Sequence, residues 1–492
     1  MNDDSSLSIL MVASEAVPFA KTGGLADVTS ALSKALGRLG HRVTLVIPKY
    51  REIGSTAPPA LNVSVALGAR QFAIGFIEQR LGEEATVVLV QCDDLYDRDG
   101  LYESHGQDHA DNPTRFAVLC RAALEYSLTQ GMRPDVVHAH DWQTGLVPVY
   151  ARTRYADHPL LAGVPTVFTI HNLAYQGVFP EAVLASLDVS PDLFTVDGIE
   201  FWGQASFLKA GINLSDLVTT VSEAYAREIL TKEFGYGFEE VVGARRDRLR
   251  GILNGIDTDV WDPGHDALLP ETFSSVDLLG KRASKRRLLE RFRLPRTDAD
   301  LARPVVGMIS RLVHQKGFDL VAEVIDELPE LGATFVVLGT GERQYEEMWR
   351  SAARQHPAII GVQIGYDETL AHLIEAGSDM FLMPSRYEPC GLNQMYSMRY
   401  GTVPIVRATG GLDDAVTHYD AADESGTGFK FPEFSSTAML AMLRRAVAVF
   451  GDRPSWRALQ VRGMMRDFSW TASAHTYVRE YRALVAGRAN QK

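Results

Sequence analysis

Pro384-Ser-Arg-Tyr-Glu-Pro-Cys-Gly-Leu-Asn-Gln394, followed after a short helical run by Val403-Pro-Ile-Val-Arg-Ala-Thr-Gly-Gly411, decides how this chain folds. Met380 to Met383 is an apolar strand that stops at Pro384, and a charged loop with Arg386 and Glu388 follows. Gly391 opens an expected helix, and the next strand, Val403 to Val406, runs into Gly410 and Gly411. Strand ends feeding glycine-flanked helix starts put polar side chains and backbone N–H groups at the carboxyl edge of a parallel sheet. Open α/β sheets bind ligands at that edge. A carboxylate beside anion-binding N–H groups suits a ligand that carries both hydroxyls and phosphates.

Strand and helix alternate on either side of this stretch. Pro304 to Ile309, Ala333 to Leu338 and Ala358 to Ile364 precede it as strands with helices between, which makes a parallel α/β unit. The first of these strands ends in Ser310-Arg-Leu-Val-His-Gln-Lys-Gly317, where Arg311 and Lys316 form a local anion site. Gly339-Thr-Gly-Glu342 fails as a dinucleotide fingerprint because Gln344 stands at the third glycine position. Tyr366, after the third strand, is placed either to stack on a flat base or as an ordinary loop residue.

The first half repeats the theme. Ser8 to Ala13 is a buried-strand run, followed by Lys21-Thr-Gly-Gly-Leu-Ala-Asp-Val28 and a helical stripe of Leu25, Val28, Leu32, Leu36 and Leu39. This is neither a Walker loop nor a G-x-G-x-x-G turn. A ligand-approaching glycine loop and a plain strand-to-helix turn fit it equally. Leu61 to Leu81 and Thr86 to Gln91 read as an antiparallel meander at a sheet edge, with Leu95-Tyr-Asp-Arg98 in a loop beyond it. Pro134 to His138 ends in His138-Ala-His-Asp-Trp-Gln143, and Pro165 to Ile170 in His171-Asn-Leu-Ala-Tyr-Gln-Gly177. His138 and His140 alternate on one strand face, which invites a metal. No third ligand is placed by spacing, so hydroxyl binding and structural roles rank above it. Ser222 caps a helix, Glu233 to Gly237 is a glycine-rich loop, and Asn254-Gly-Ile-Asp257 precedes an irregular polar stretch to Ser275, the best linker candidate.

The bulk numbers bound the function. At 492 residues the chain is too long for one ordinary core, and 46% hydrophobic with 23% charged residues is a globular composition. A formal charge of −13 argues against broad nucleic-acid or membrane-surface binding. The three scattered cysteines make a disulfide framework or zinc site an unfavoured reading and suit a reducing cytosol. The acidic N-terminus is unlike a signal peptide, so a cytoplasmic location is expected.

Two such units without a dinucleotide fingerprint resemble the two-domain Rossmann-like (GT-B) glycosyltransferase fold. The motifs at Lys21–Val28, His138–Trp142, His171–Gly177, Asn254–Asp257, Ser310–Gly317 and Glu388–Leu392, in register along almost the whole chain, are similar to those of bacterial glycogen synthases and plant starch synthases. The resemblance implies α/β architecture with two domains facing across a cleft. Residues 1–258, with 470–492 packing back, would form the acceptor domain, and 259–469 the nucleotide-sugar domain. It implies transfer of α-glucose from ADP-glucose to the non-reducing end of an α-1,4-glucan with retention, no cofactor and no metal. Lys21, His171, Arg311, Lys316 and Glu388 would be catalytic. Arg311 and Lys316 would hold the diphosphate, supported by Gly24 and the Gly410 and Gly411 N–H groups. Tyr366 would stack on adenine, and Glu388 would bind ribose or glucosyl hydroxyls. Asp27, Asp141, His171 and Asn254 would line the glucose and acceptor side, and Tyr96 would touch the acceptor. Cys390, Gly391, Leu392 and Thr409 complete the binding set. Many relatives carry a second glutamate eight positions after the first; here Tyr396 stands there. A UDP-glucose enzyme of the same architecture, an inactive glucan-binding scaffold and a pyridoxal-phosphate phosphorylase are the competing readings.

Overall fold

A computed structural model of the chain describes residues 5–54 and 57–489. The chain divides into two compact units. The first contains residues 1–221, 226–252 and 470–492, and the second 222–225 and 253–469.

The first unit is built on a nine-stranded sheet. Seven strands are parallel, in the order Leu249–Gly251, Leu217–Thr220, Thr166–Ile170, Val136–His140, Ser8–Val12, Arg42–Pro48 and Ala85–Gln91. The edge is the antiparallel meander expected from its alternation, with Arg70–Leu81 and Leu61–Leu67 pairing outward from Ala85–Gln91. Ser8–Val12 is buried at every residue, as a strand covered on both faces must be. The final helix, Trp470–Ala489, lies against the Gly24–Arg38 helix and adds Trp470, Tyr477, Val478 and Tyr481 to this core.

The second unit is a six-stranded, wholly parallel sheet. Its order is Ile360–Ile364, Thr334–Gly339, Val305–Ile309, Met380–Met383, Val403–Arg407 and Phe429–Phe431. Numbered along the unit this is 3-2-1-4-5-6, the doubly wound order, whose switch point falls between Val305–Ile309 and Met380–Met383. The first unit has the same kind of reversal between Ser8–Val12 and Val136–His140. Residues that leave these four strands at their carboxyl ends are therefore the ones the topology offers to ligands.

Phe429–Phe431 escapes a reading based on apolar runs because it is three residues long and bounded by glycine and proline. The helices that start at or just after Gly317, Gly391 and Gly410 are short, at six, seven and six residues. Leu95-Tyr96, expected in a loop, ends a single helical turn, Asp93–Tyr96.

Candidate functional site

At the switch point of the second unit the chain leaves one strand through Ser310-Arg311 and the adjacent one through Pro384-Ser385. The cavity between these exits is about 340 Å³. Arg311, Lys316, Tyr366, Glu388, Gly391 and Leu392 all line it, so six of the expected positions meet in one place. Lys316 Nζ donates to Glu388 Oε2 at 2.5 Å, and Ser385 Oγ donates to the same oxygen at 3.1 Å. Glu388 is 6% exposed, so its polar partners are these side chains more than water. Arg311 lies exposed on the rim, with a single 3.3 Å hydrogen bond to Gln315. Tyr366 is 78% exposed, a large surface for an aromatic ring, and its hydroxyl donates to Glu368.

Four expected binding residues lie behind the cavity. Thr409 is fully buried and the Cys390 side chain is 5% exposed. Burial pushes the Cys390 thiol up to about 12, against the contrary pull of Asn254 beside it, so it is a neutral packing group. Gly410 and Gly411 were expected as free N–H donors, but Gly411 donates to the carbonyls of Glu388 (3.1 Å) and Pro389 (3.2 Å). A Cβ on Gly410 would stand 2.0 Å from the Glu388 carbonyl oxygen, and one on Gly411 would stand 2.1 Å from that of Cys390. The two glycines hold the Glu388 loop in place by close approach, which only a bare backbone permits. Asn254 belongs to this unit, 6% exposed, with its Oδ1 buried and without a hydrogen-bond partner.

Tyr396, at the position of the second glutamate, is stacked on Trp261 at 3.9 Å, and Trp261 is stacked on His372 at 3.8 Å. Tyr396 therefore serves as packing.

In the first unit, Lys21 and Asp27 form an exposed ion pair at 2.8 Å around the start of the Gly24–Arg38 helix. That loop hangs on Glu15, a residue whose importance was not drawn from the sequence. Its carboxylate, 2% exposed, accepts from the Thr22 backbone N–H (2.5 Å), the Thr22 hydroxyl (2.6 Å) and the Tyr102 hydroxyl. The available signal was position, since Glu15 lies three residues beyond the end of a fully buried strand. Across the switch point, Asp141 Oδ1 accepts the His171 backbone N–H at 2.7 Å, and His140 Nδ1 lies 3.0 Å from His171 Nε2. Burial lowers His171 to about 3, which keeps its ring neutral, and raises Asp141 to about 7. His138 bonds Tyr481 (2.7 Å) and Thr169 (2.6 Å), a structural role. Among the described residues no group of three or more His, Cys, Asp or Glu is arranged to hold a metal ion.

Tyr96 corrects the expectation of an acceptor contact. It is fully buried, with its hydroxyl donating to the Arg115 carbonyl at 2.8 Å, so it presents no face to a sugar.

Two Rossmann-like units with polar clusters at their switch points define a two-domain nucleotide-sugar glycosyltransferase. Residues 8–244 match the starch synthase catalytic domain family, and residues 293–448 match the glycosyl transferases group 1 family. The glycogen synthase of Koribacter versatilis is 46% identical over 96% of this chain and 98% of its own length. That of Anaeromyxobacter dehalogenans is 48% identical over 98% and 100%. The catalytic domain of starch synthase IV from Arabidopsis thaliana, solved with ADP and acarbose, superposes with a TM-score of 0.89 at 34% identity, covering 98% of this chain and all of that one. The chain belongs to the glycogen and starch synthase family of retaining glycosyltransferases. A sucrose-phosphate synthase from Thermosynechococcus elongatus, at 19% identity and a TM-score of 0.59, shares the fold.

Proposed function

We propose that the second unit's cavity takes ADP-glucose and that the glucosyl group passes to the non-reducing end of an α-1,4-glucan. One observation carries the reading: two cations, a buried carboxylate and an exposed aromatic ring meet in a single cavity at the switch point. Arg311 and Lys316 face the diphosphate, Glu388 accepts hydrogen bonds from sugar hydroxyls, and Tyr366 offers its ring to the base. Among the relatives, the plant starch synthase was solved with ADP, which supports an adenine nucleotide here.

A nucleoside diphosphate is already a good leaving group, so the reaction needs charge stabilisation more than it needs a raised-pKa acid. As the bond from C1 to the phosphate oxygen breaks, the new charge falls to the cations, and the acceptor's hydroxyl oxygen bonds C1 from the same face. Its proton passes to the departing phosphate oxygen, which yields retention without an enzymic nucleophile. Lys21, with Gly24 at its helix start, is assigned to the phosphate side, and Asp27, Asp141, His171 and Asn254 to the sugars. The neutral His171 ring is suited to an uncharged hydroxyl.

The test is glucose incorporation into glycogen from ADP-glucose and, separately, from UDP-glucose. Arg311→Ala is the control, because an exposed side chain can be removed without unfolding the unit. We expect transfer from ADP-glucose that falls about 100-fold or more in the variant. Transfer from UDP-glucose alone would overturn the donor assignment, and a covalent glucosyl-enzyme on any carboxylate would overturn the same-face route.

A further inference from the structure

The first unit carries three exposed aromatic rings on neighbouring loops. Tyr175 is 59% exposed, Tyr236 41% and Trp202 82%. Tyr175 lies in the same loop as His171, and its neighbour Gln176 donates from Nε2 to the Tyr236 carbonyl at 3.0 Å. A Cβ on Gly237 would stand 4.0 Å from Trp202 Nε1, so the indole lies beside the Tyr236-Gly237 turn. The three rings thus sit on a ledge of adjoining loops, the first of which is the His171 loop.

The backbone under the ledge is unusual. Phe201 pairs with Gln204, so Trp202 and Gly203 are the whole loop of a two-residue hairpin. Both have positive φ, +52° and +74°. Such turns favour Asn-Gly or Asp-Gly, because an ordinary side chain is strained in the left-handed region. Tyr236 and Gly237 repeat the pattern, at +50° and +82°. Two bulky aromatic residues therefore occupy backbone positions that disfavour them. Trp202 in particular gains little burial in return. Strain kept at an exposed ring marks a ring that something else touches.

We propose that Tyr175, Tyr236 and Trp202 are a docking ledge for α-1,4-glucan, holding a long acceptor chain outside the transfer site. The proposal rests on the α-glucan reading above. Aromatic faces pack against the apolar C–H faces of pyranose rings, and several rings in a row suit a polymer over a monosaccharide. The continuity with the His171 loop favours the substrate polymer over an unrelated partner.

Trp202→Asn in the full chain tests this, since asparagine is at home at that turn position and the fold gains by it. We expect an unchanged or higher Tm and a rise of about tenfold in KM for glycogen, with weaker retardation in glycogen-containing native gels. We expect kcat and the kinetics on maltotriose, which has only three glucosyl units, to stay as in the wild type. Tyr236→Asn should act in the same direction. Unchanged glycogen KM and gel retardation in both variants would overturn the ledge, as would a change in oligomeric state by light scattering with glycogen affinity intact. Failure of the α-glucan reading looks different: the wild type itself would not transfer glucose to maltotriose.

Discussion

At the residue scale the cavity of the second unit turns on Lys316 and Glu388. Lys316 is 19% and Glu388 9% exposed in the side chain, so each depends on the other for compensation of its charge. Lys316→Ala leaves the carboxylate unpaired and should cost about 3 kcal/mol of stability together with the loss of transfer. Glu388→Gln keeps an oxygen for Ser385 and Lys316, so it should lower Tm less while reducing transfer at least about 100-fold. Calorimetry and a transfer assay on the two variants check this, and equal losses of Tm would contradict it. That Arg311, Lys316, Tyr366 and Glu388 share one cavity follows from loops that leave neighbouring strands at one sheet edge, a pattern legible in the sequence. The burial of Tyr96 and Thr409 was not, because whether a loop side chain turns inward depends on packing partners such as Arg115 that lie elsewhere in the chain. Glu15 shows the converse, a buried carboxylate whose value appears only once Thr22 and Tyr102 are brought to it.

At the element scale the Glu388 loop is held from beneath by the turn into the Gly410–Ala415 helix. Gly411→Ala should displace that loop, since the added methyl group meets the Cys390 backbone and not a side chain that can rotate away. The expected result is a marked loss of transfer and a lower Tm with secondary structure retained by circular dichroism; wild-type kinetics would show that the loop has room to yield. The paired glycines were read from the sequence as backbone N–H donors for a ligand, and what they meet is the protein's own backbone. The parallel strands and the edge meander were also legible, because buried runs and alternation are local patterns. The boundaries of the short helices are set by the turns around Gly317, Leu392 and Val416 and not by periodicity.

At the scale of the molecule the two units differ in how they answer acid. The first buries His138, His140 and His171 together, with His138 and His171 lowered from 6.5 to about 3 and His140 well below its usual value, all by burial. Unfolded, these rings take up protons near pH 6.5; folded, His138 and His171 do not until about pH 3, and His140 is likewise held neutral well below its usual value. Across that window the unfolded form binds more protons, so stability falls as pH is lowered, by up to about 1.4 kcal/mol per pH unit for each histidine. Asp141 acts oppositely, since burial raises it to about 7 and the folded unit keeps a proton the unfolded chain loses above about pH 4. The balance within this group is three against one. In the second unit Glu375, raised to about 8 by burial, gains stability as pH falls, with His418, lowered by partial burial, working against it. The first unit should therefore loosen first between pH 6.5 and 4.5, before the depressed carboxylates of either unit titrate. His138 also bonds Tyr481 of the last helix, so an opening that exposes the imidazoles to protons reaches that helix as well. Hydrogen exchange at pH 7 and pH 5, corrected for intrinsic rates, should show protection lost at Ser8–Val12, Val136–His140 and Trp470–Ala489 while Val305–Ile309 keeps its own. Earlier loss in the second unit, or parallel loss in both, would mean that the buried imidazoles are solvated far more than their packing indicates.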